Sequence, residues 1–215
     1  MNKAVIFDLD GTILDSAPDI LYNLNLMLDE FSHKRIDLKR VYDTIGHGAR
    51  NLVKGAIDEC LTDSEIDSRL AFYNNKYTNS GSPYTKLFDG IDNLLNSLKS
   101  QNFKLAILTN KPQQTTDKIY EKYLKKYDFD LVIGQREDLP IKPNPTSTFK
   151  ILQSLNVSSE NAYFIGDMET DLLTGLNANV TPIIASWGYG KKENLISLGA
   201  KFFAENPNEV LSFLK

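Results

Sequence analysis

The sequence predicts an α/β protein: a doubly wound parallel sheet with helices on both faces, plus a small all-helical second domain. Two observations carry this prediction. Short apolar runs recur along the chain, and the segments between them carry apolar residues at helical spacing. That alternation is interrupted once, over residues 17–83, where only helical spacing is found.

The short apolar runs predict the strands of the sheet. Each is closed by polar or turn-forming residues, as is typical of strands that are buried on both faces. They comprise residues 4–7, 104–108, 131–133, 162–165, 180–185 and a short sixth run, 201–204. Pro182 places the fifth run toward an edge of the sheet, because proline cannot donate a ladder hydrogen bond. Sites in such sheets form at the carboxyl ends of the strands.

Helices are predicted between these strands. One carries apolar residues at helical spacing, namely Ile91, Leu94, Leu95 and Leu98. Pro112 suits the first turn of another helix that runs to about residue 126. Asn144 can cap a third helix that begins at Pro145. Each of these helices follows a strand end, as the crossover connections of a parallel sheet require.

The break in the alternation predicts an inserted domain. Residues 17–83 read as four helices without a strand, and the stretch 79–83, Asn-Ser-Gly-Ser-Pro, is the most loop-like of the chain. We therefore expect linkers near residues 15–18 and 80–84. The predicted division is an α/β core formed by residues 1–16 and 84–215, and a helical domain formed by residues 17–83.

Composition excludes several classes of protein. A net charge of -4 and a pI near 5.3 argue against a general nucleic-acid binder, which needs a basic face. The single cysteine, Cys60, excludes an intrachain disulfide and fits a reducing compartment. No apolar run reaches the length of a signal peptide or a membrane span. We expect a cytoplasmic protein without membrane or nucleic-acid partners, as a monomer or a homodimer.

The first strand ends in Asp8-Leu9-Asp10-Gly11-Thr12, the first candidate site. Two carboxylates placed together are costly unless a cation joins them, and Mg²⁺ prefers such hard oxygen ligands. A carboxylate can also attack phosphorus to form an aspartyl phosphate. The alternative is an ordinary turn, because aspartate and glycine favour turns.

Three later strand ends carry further polar groups. Thr109 and Asn110 precede a helix start, where phosphate is favoured, although either could simply cap that helix. Lys142 could neutralise phosphate and clustered carboxylates, or be a solvated surface lysine. Asp167 and Asp171 are four residues apart and can share one helix face, although acids at a helix start also stabilise the helix.

In combination these strand ends resemble the four motifs of the haloacid dehalogenase (HAD) superfamily. The matching residues are Asp8-Leu9-Asp10-Gly11-Thr12, Thr109-Asn110, Lys142-Pro143 and Gly166-Asp167 through Asp171. The resemblance covers nearly the whole chain, including a helical cap inserted after the first motif. It implies a Rossmann-like core and a Mg²⁺-dependent enzyme.

The resemblance also implies residue roles. Asp8 is the expected nucleophile, and Asp10 the expected general acid and base, with its backbone carbonyl on the metal. Thr109, Asn110 and Lys142 are expected to bind phosphate. The expected metal ligands are Asp8, Asp10, Asp167 and Asp171, the last through water or by orienting its neighbours. An aspartate at position 10 favours phosphorus chemistry over carbon–halogen chemistry.

Within the superfamily the chain is most similar to phosphoglycolate phosphatases, which implies hydrolysis of a small phosphomonoester. The cap segment Ile45-Gly46-His47-Gly48-Ala49-Arg50 contributes to this similarity. Arg50 could fork onto a substrate carboxylate or phosphate, and His47 could donate to substrate. Arg50 could equally be solvated, and a loop histidine such as His47 more often has no such role. The alternatives are a phosphomutase of the beta-phosphoglucomutase type, a pyrophosphatase, and a non-catalytic phosphate-binding regulatory protein.

Two further groups are interpreted as structural. The lysines that follow the second motif are interrupted by acidic residues, which favours a solvated helix face. They are Lys111, Lys118, Lys122, Lys125 and Lys126. Trp187 and Tyr189 are interpreted as packing residues.

Overall fold

A computed structural model describes residues 2–214 and contains a six-stranded parallel sheet. The spatial strand order is β5-β4-β1-β6-β7-β8. The strands are β1 (Ala4–Phe7), β4 (Lys104–Pro112), β5 (Leu131–Gln135), β6 (Ala162–Gly166), β7 (Thr181–Ala185) and β8 (Phe203–Ala204). Every predicted apolar run forms a strand, and the predicted α/β fold class is confirmed.

The first strand lies at the centre of this sheet. β1 pairs in parallel with β4 on one side and with β6 on the other. Its alternate side chains enter different cores: Val5 and Phe7 join the larger apolar cluster, and Ala4 and Ile6 the cluster on the opposite face. Both faces of the strand are therefore covered by apolar residues, which explains its uninterrupted apolar sequence.

Helices cover both faces of the sheet. They are α5 (Ile91–Ser100), α6 (Gln113–Ile119), α7 (Thr146–Leu155), α8 (Glu169–Asn177), α9 (Lys192–Ser197) and α10 (Val210–Phe213). A π-helical turn and a 3₁₀ turn extend α6 to Tyr127, close to the predicted end near residue 126. The helix α7 begins at Thr146, one residue later than predicted, and its N-cap is Pro145 and not Asn144. The Asn144 side chain accepts a hydrogen bond from Thr146 N at 3.0 Å.

Two details of the sheet differ from the predictions. β4 continues to Pro112 instead of ending at residue 108, so Pro112 precedes α6 and does not lie in its first turn. Pro182 lies in the second strand from the edge. The edge strand β8 pairs only with Ile184 and Ala185, so it leaves the Pro182 end of β7 without a ladder partner on that side.

Residues 17–83 form a cap of helices and contain no strand, as predicted. The helices are α1 (Ala17–Glu30), α2 (Leu38–Tyr42), α3 (Ala49–Gly55) and α4 (Asp63–Asn79). A capping box begins α4, because Thr62 accepts from Glu65 N and the Glu65 carboxylate accepts from Thr62 N. None of the helices within residues 2–214 combines the length and apolarity needed to cross a bilayer.

A short antiparallel ribbon joins cap and core, and the sequence did not predict it. It consists of β2 (Leu14–Asp15) and β3 (Lys86–Leu87), which lie next to the two linkers. Asp19 of α1 is fully buried and accepts from Tyr84 N at 3.0 Å and from Thr85 Oγ1 at 2.6 Å. The two linkers are therefore tied together, although the exact division at residues 17 and 83 stays a prediction.

Candidate active site

The central strand delivers Asp8 to the carboxyl edge of the sheet. Its backbone N–H donates to Ile165 O at 2.8 Å, and its carboxylate Oδ1 accepts from Lys142 Nζ at 2.6 Å. Burial raises the pKa of Asp8 to about 7; Lys142 opposes this rise, whereas Asp171 and Asp10 add to it. A desolvated carboxylate held by one lysine is typical of a reactive group.

Asp8, Asp167 and Asp171 form a buried cluster. One carboxylate oxygen from each lies within 4.8 Å of the others. Asp167 Oδ1 accepts from Thr12 Oγ1 at 3.0 Å, and its Oδ2 accepts from Tyr189 N at 2.8 Å. Burial raises the pKa of Asp167 well above its usual value, and the charges of Asp171 and Asp8 raise it further. The end of β1, the loop after β6 and the first turn of α8 thus place three acids at one point.

The cluster fits a hard divalent cation such as Mg²⁺. Among the described residues, one lysine contacts these three carboxylates. It is Lys142, whose ammonium lies 2.6 Å from both Asp8 and Asp171. Buried like charges repel one another unless a cation joins them, and Mg²⁺ prefers carboxylate oxygens. Asp171 Oδ2 also accepts from the backbone N–H groups of Asp167 and Met168, so this acid orients the loop that carries Asp167.

The side chain of Asp10 has different partners from this cluster. Its Oδ1 accepts from Ser16 Oγ at 2.5 Å, and its Oδ2 lies 2.8 Å from Lys111 Nζ. Of the predicted metal ligands, the structure brings together the carboxylates of Asp8, Asp167 and Asp171 but not that of Asp10. The Asp10 carboxylate lines the adjoining cavity beside Asp8, where it can exchange a proton with a bound molecule.

The second motif holds the site together as well as lining it. Thr109 is buried and lines the cavity. The Asn110 amide accepts from Lys142 N at 2.8 Å and donates to Gly46 O of the cap at 2.9 Å. Asn110 therefore fixes the backbone of Lys142 and joins the core to the cap, a structural task that its sequence position did not predict.

Lys142 is a buried cation and not a solvated surface lysine. Burial alone would lower the pKa of its ammonium, but Asp171 and Asp8 together raise it above the usual lysine value. The lysine therefore stays charged in the site. An ammonium has three N–H donors, of which Asp8 and Asp171 take two.

Cap and core together line a chamber next to these residues. Polar groups of the core line one side, and mainly apolar and aromatic cap residues line the other. The lining residues are Asp8, Asp10, Ile20, Ile45, Gly46, Gly48, Ala49, Leu52, Tyr73, Tyr77, Thr109, Asn110, Lys111, Pro112 and Lys142. Such a chamber can exclude bulk water from a bound small molecule.

The two predicted cap residues are not brought into the chamber. Arg50 lies on α3 and forms ion pairs with Asp63 and Asp67 at the start of α4. His47 is exposed and borders a separate, open cleft beside Lys142 and Asn51. Neither side chain lines the chamber that contains Asp8.

Lys111 is a site residue, and the prediction that it lies on a solvated helix face is wrong. Because β4 runs on to Pro112, Lys111 belongs to the strand end and is buried. Its ammonium donates to the Tyr77 hydroxyl at 3.0 Å and pairs with Asp10. Its position directly after Thr109-Asn110 was the one signal that could have identified it.

Tyr189 and Trp187 brace the first-motif loop, beyond simple packing. The Tyr189 hydroxyl accepts from Ser16 N at 2.9 Å and Ala17 N at 3.1 Å. Trp187 Nε1 donates to Thr12 O at 2.9 Å. Gly11 is required in the same loop: its φ is +85°, and a Cβ there would lie 2.4 Å from Asp167 Oδ2.

Comparison with known proteins agrees with this geometry. The family described as haloacid dehalogenase-like hydrolase matches residues 5–185. A phosphoglycolate phosphatase from Colwellia psychrerythraea is 30% identical over 219 residues, covering 99% of this chain and 97% of the relative. Another from Aquifex aeolicus is 31% identical over 212 residues, covering 99% of this chain and 96% of the relative.

Solved structures give the same assignment. A crystal structure from Lactobacillus delbrueckii subsp. bulgaricus superposes with a TM-score of 0.92 at 26% identity, covering 100% of this chain and 99% of the other. The match includes both the sheet and the inserted helices. This chain belongs to the haloacid dehalogenase-like hydrolase family.

Proposed function

We propose that this protein is a Mg²⁺-dependent phosphatase that hydrolyses a small phosphomonoester of the phosphoglycolate type through an aspartyl phosphate on Asp8. One observation carries the proposal: Asp8 and Asp10 lie side by side in a chamber that Thr109 and Lys142 also line. A nucleophile, a proton donor and two phosphate-binding groups therefore meet in one enclosed space.

In the first step the Asp8 carboxylate attacks phosphorus, and the bond between phosphorus and the ester oxygen breaks. Asp10, in its protonated form, gives its proton to the departing oxygen, so the product leaves as an alcohol. Lys142 and the Thr109 hydroxyl hold the phosphoryl oxygens. Phosphoryl transfer depends mainly on such positioning and charge neutralisation.

In the second step water attacks the phosphorus of the aspartyl phosphate. Asp10, now a carboxylate, takes a proton from this water, and the bond to Asp8 breaks to release inorganic phosphate and restore both acids. Asp8, Asp167 and Asp171 would hold Mg²⁺, which when bound offsets the negative charge shared by phosphate and the carboxylates.

We infer a small substrate because residues of both the cap and the core line the chamber. The walls contributed by Ile20, Ile45 and Leu52 are apolar. The two phosphoglycolate phosphatases at about 30% identity cover nearly the full chain, which supports a substrate of the same class.

The test is phosphate release from a panel of phosphomonoesters, with saturating Mg²⁺ and with EDTA. The panel contains 2-phosphoglycolate, hexose phosphates, nucleotides and pyrophosphate. We expect the wild type to release phosphate with Mg²⁺ but not with EDTA, and fastest from a two- or three-carbon ester. We expect Asp8→Asn to release none. Asp58→Asn is the matched control, because Asp58 is exposed on the cap and pairs with Arg40.

Other outcomes would replace the proposal. Turnover that needs a sugar bisphosphate would identify a phosphomutase, and preference for pyrophosphate would identify a pyrophosphatase. Folded protein that binds phosphate without turning over any ester would indicate a regulatory binding role.

A further inference from the structure

We infer that Lys111 determines substrate specificity by binding a carboxylate on the leaving group, with the Tyr77 hydroxyl as second donor. The inference rests on the proposed phosphatase function, because it concerns the part of the ester that departs as the alcohol. It assigns a role to a buried lysine that the proposed hydrolytic steps do not use.

Lys111 is held in position before any substrate binds. Its side chain is 3% exposed, and its ammonium contacts Asp10 Oδ2 at 2.8 Å and the Tyr77 hydroxyl at 3.0 Å. The ammonium also lies 4.4 Å from the centre of the Tyr77 ring. A lysine ordered in this way loses little side-chain freedom when an anion arrives.

Within residues 2–214, Lys111 and Lys142 are the only cationic side chains that line the chamber. Lys142 is shared by Asp8 and Asp171 at the phosphate end. Lys111 pairs with one acid, Asp10, and the described contacts account for two of its three N–H donors. It is therefore the cation available to a second anionic group of the substrate.

The surroundings of Lys111 match a single negative charge. Tyr77 belongs to the cap helix α4, and burial raises the pKa of its hydroxyl well above the usual value, so it remains protonated and able to donate. One ammonium and one hydroxyl suit a carboxylate, which can accept at both oxygens. The neighbouring wall from Ile20, Ile45 and Leu52 offers nothing to a larger polar group.

Arg50 does not compete for this role. Its guanidinium is outside the chamber and is neutralised by Asp63 and Asp67. Recognition of a leaving-group carboxylate is therefore assigned to the end of β4 and to α4, not to α3.

The experiment compares kcat/KM for 2-phosphoglycolate and for its neutral amide, phosphoglycolamide, in saturating Mg²⁺. The wild type should favour the acid by about 10- to 100-fold, the range of a charge-assisted hydrogen bond. In Lys111→Met this ratio should fall to near unity, and in Tyr77→Phe it should fall by a few fold. Lys150→Met, on the exposed face of α7, should keep the wild-type ratio.

The ratio separates recognition from a general loss of activity. Lys111→Met also removes the partner of Asp10 and should slow both esters, but only carboxylate recognition changes their ratio. An unchanged ratio in both Lys111→Met and Tyr77→Phe, or a wild type without preference, would overturn the inference and leave the phosphatase intact. If the wild type hydrolysed neither of these esters nor any other phosphomonoester, the proposed phosphatase function itself would be wrong.

Discussion

Lys142 Nζ lies 2.6 Å from Asp8 Oδ1, and this contact spans 134 residues of sequence. The same ammonium is 2.6 Å from Asp171. One buried lysine therefore holds an acid that follows the central strand β1 and an acid in the first turn of α8, the helix after β6. The stability of the metal-free protein and the charge of the proposed nucleophile both depend on this lysine.

Replacing Lys142 by methionine should destabilise the metal-free protein strongly. Removing one partner of a buried ion pair leaves an uncompensated charge, which typically costs about 3–5 kcal/mol. The measurement is urea unfolding in EDTA at pH 8, with Lys150→Met as the exposed control. A midpoint equal to that of the wild type would show that Asp8 and Asp171 do not depend on Lys142.

The raised pKa of Asp8 predicts that the free energy of unfolding depends on pH differently in the wild type and in Asp8→Asn, both measured in EDTA. The folded value is about 7 and the ordinary value 3.8, so the protonated form is favoured by folding. The resulting stability is fully present below about pH 4 and is lost as the pH rises through about 7.

Asp8→Asn has no titrating carboxyl group at this position, so it does not lose this stability as the pH rises. Its unfolding free energy should therefore improve relative to the wild type between pH 5 and pH 8, by about 1–3 kcal/mol. Urea unfolding at both pH values measures the difference. Stability curves that run parallel across this range would contradict the raised pKa.

Mg²⁺ should stabilise the protein through the three-acid cluster. A ligand that binds only the folded state raises stability with its concentration, by about 2.7 kcal/mol at 100 times Kd. Asp167→Asn should weaken the affinity by at least about 10-fold, the smallest loss usual for disturbing a metal site. Thermal melting against Mg²⁺ concentration measures this, with Asp58→Asn as control. Equal Mg²⁺ responses in the two variants would place the metal elsewhere.

Arg50→Ala should leave catalysis intact. Because its guanidinium contacts Asp63 and Asp67 instead of the chamber, kcat/KM for the best ester should stay within about twofold of wild type. Steady-state kinetics with 2-phosphoglycolate measures it. A selective rise in KM would show that α3 moves Arg50 onto the substrate during turnover.

The sheet and the polar residues that follow β1, β4 and β6 could be predicted because each is encoded locally. The prediction that Lys142 lies at a strand end is wrong, because Lys142 lies in the loop between β5 (Leu131–Gln135) and α7 (Thr146–Leu155). An apolar run followed at once by Asp8, or by Thr109, needs no distant information to be recognised. Parallel strands then bring such ends to one edge whatever the intervening sequence. This explains why residues far apart in the chain were expected together and are found together.

Lys111 and Arg50 could not be assigned because their partners are set by tertiary packing. Lys111 is buried only because β4 is longer than its apolar run and because Tyr77 of the cap covers it. Arg50 looked available in sequence, but the packing of α3 on α4 brings Asp63 and Asp67 to it. Neither contact has a sequence pattern of its own.

The Tyr189 hydroxyl supports the start of α1. Its hydroxyl accepts from the backbone N–H groups of Ser16 and Ala17 and donates to Asp15 Oδ1 at 3.0 Å. Tyr189→Phe leaves those partly buried N–H groups without this acceptor at the start of α1, which should cost about 1–2 kcal/mol of stability.

The same variant should also lower kcat, because Ser16 donates to Asp10. Its Mg²⁺ affinity should not change, because the Tyr189 backbone N–H still donates to Asp167. Urea unfolding, kinetics and Mg²⁺ titration separate these effects, with Tyr22→Phe, an exposed tyrosine of α1, as control. Loss of Mg²⁺ affinity in Tyr189→Phe would mean that the hydroxyl, and not only the backbone, positions Asp167.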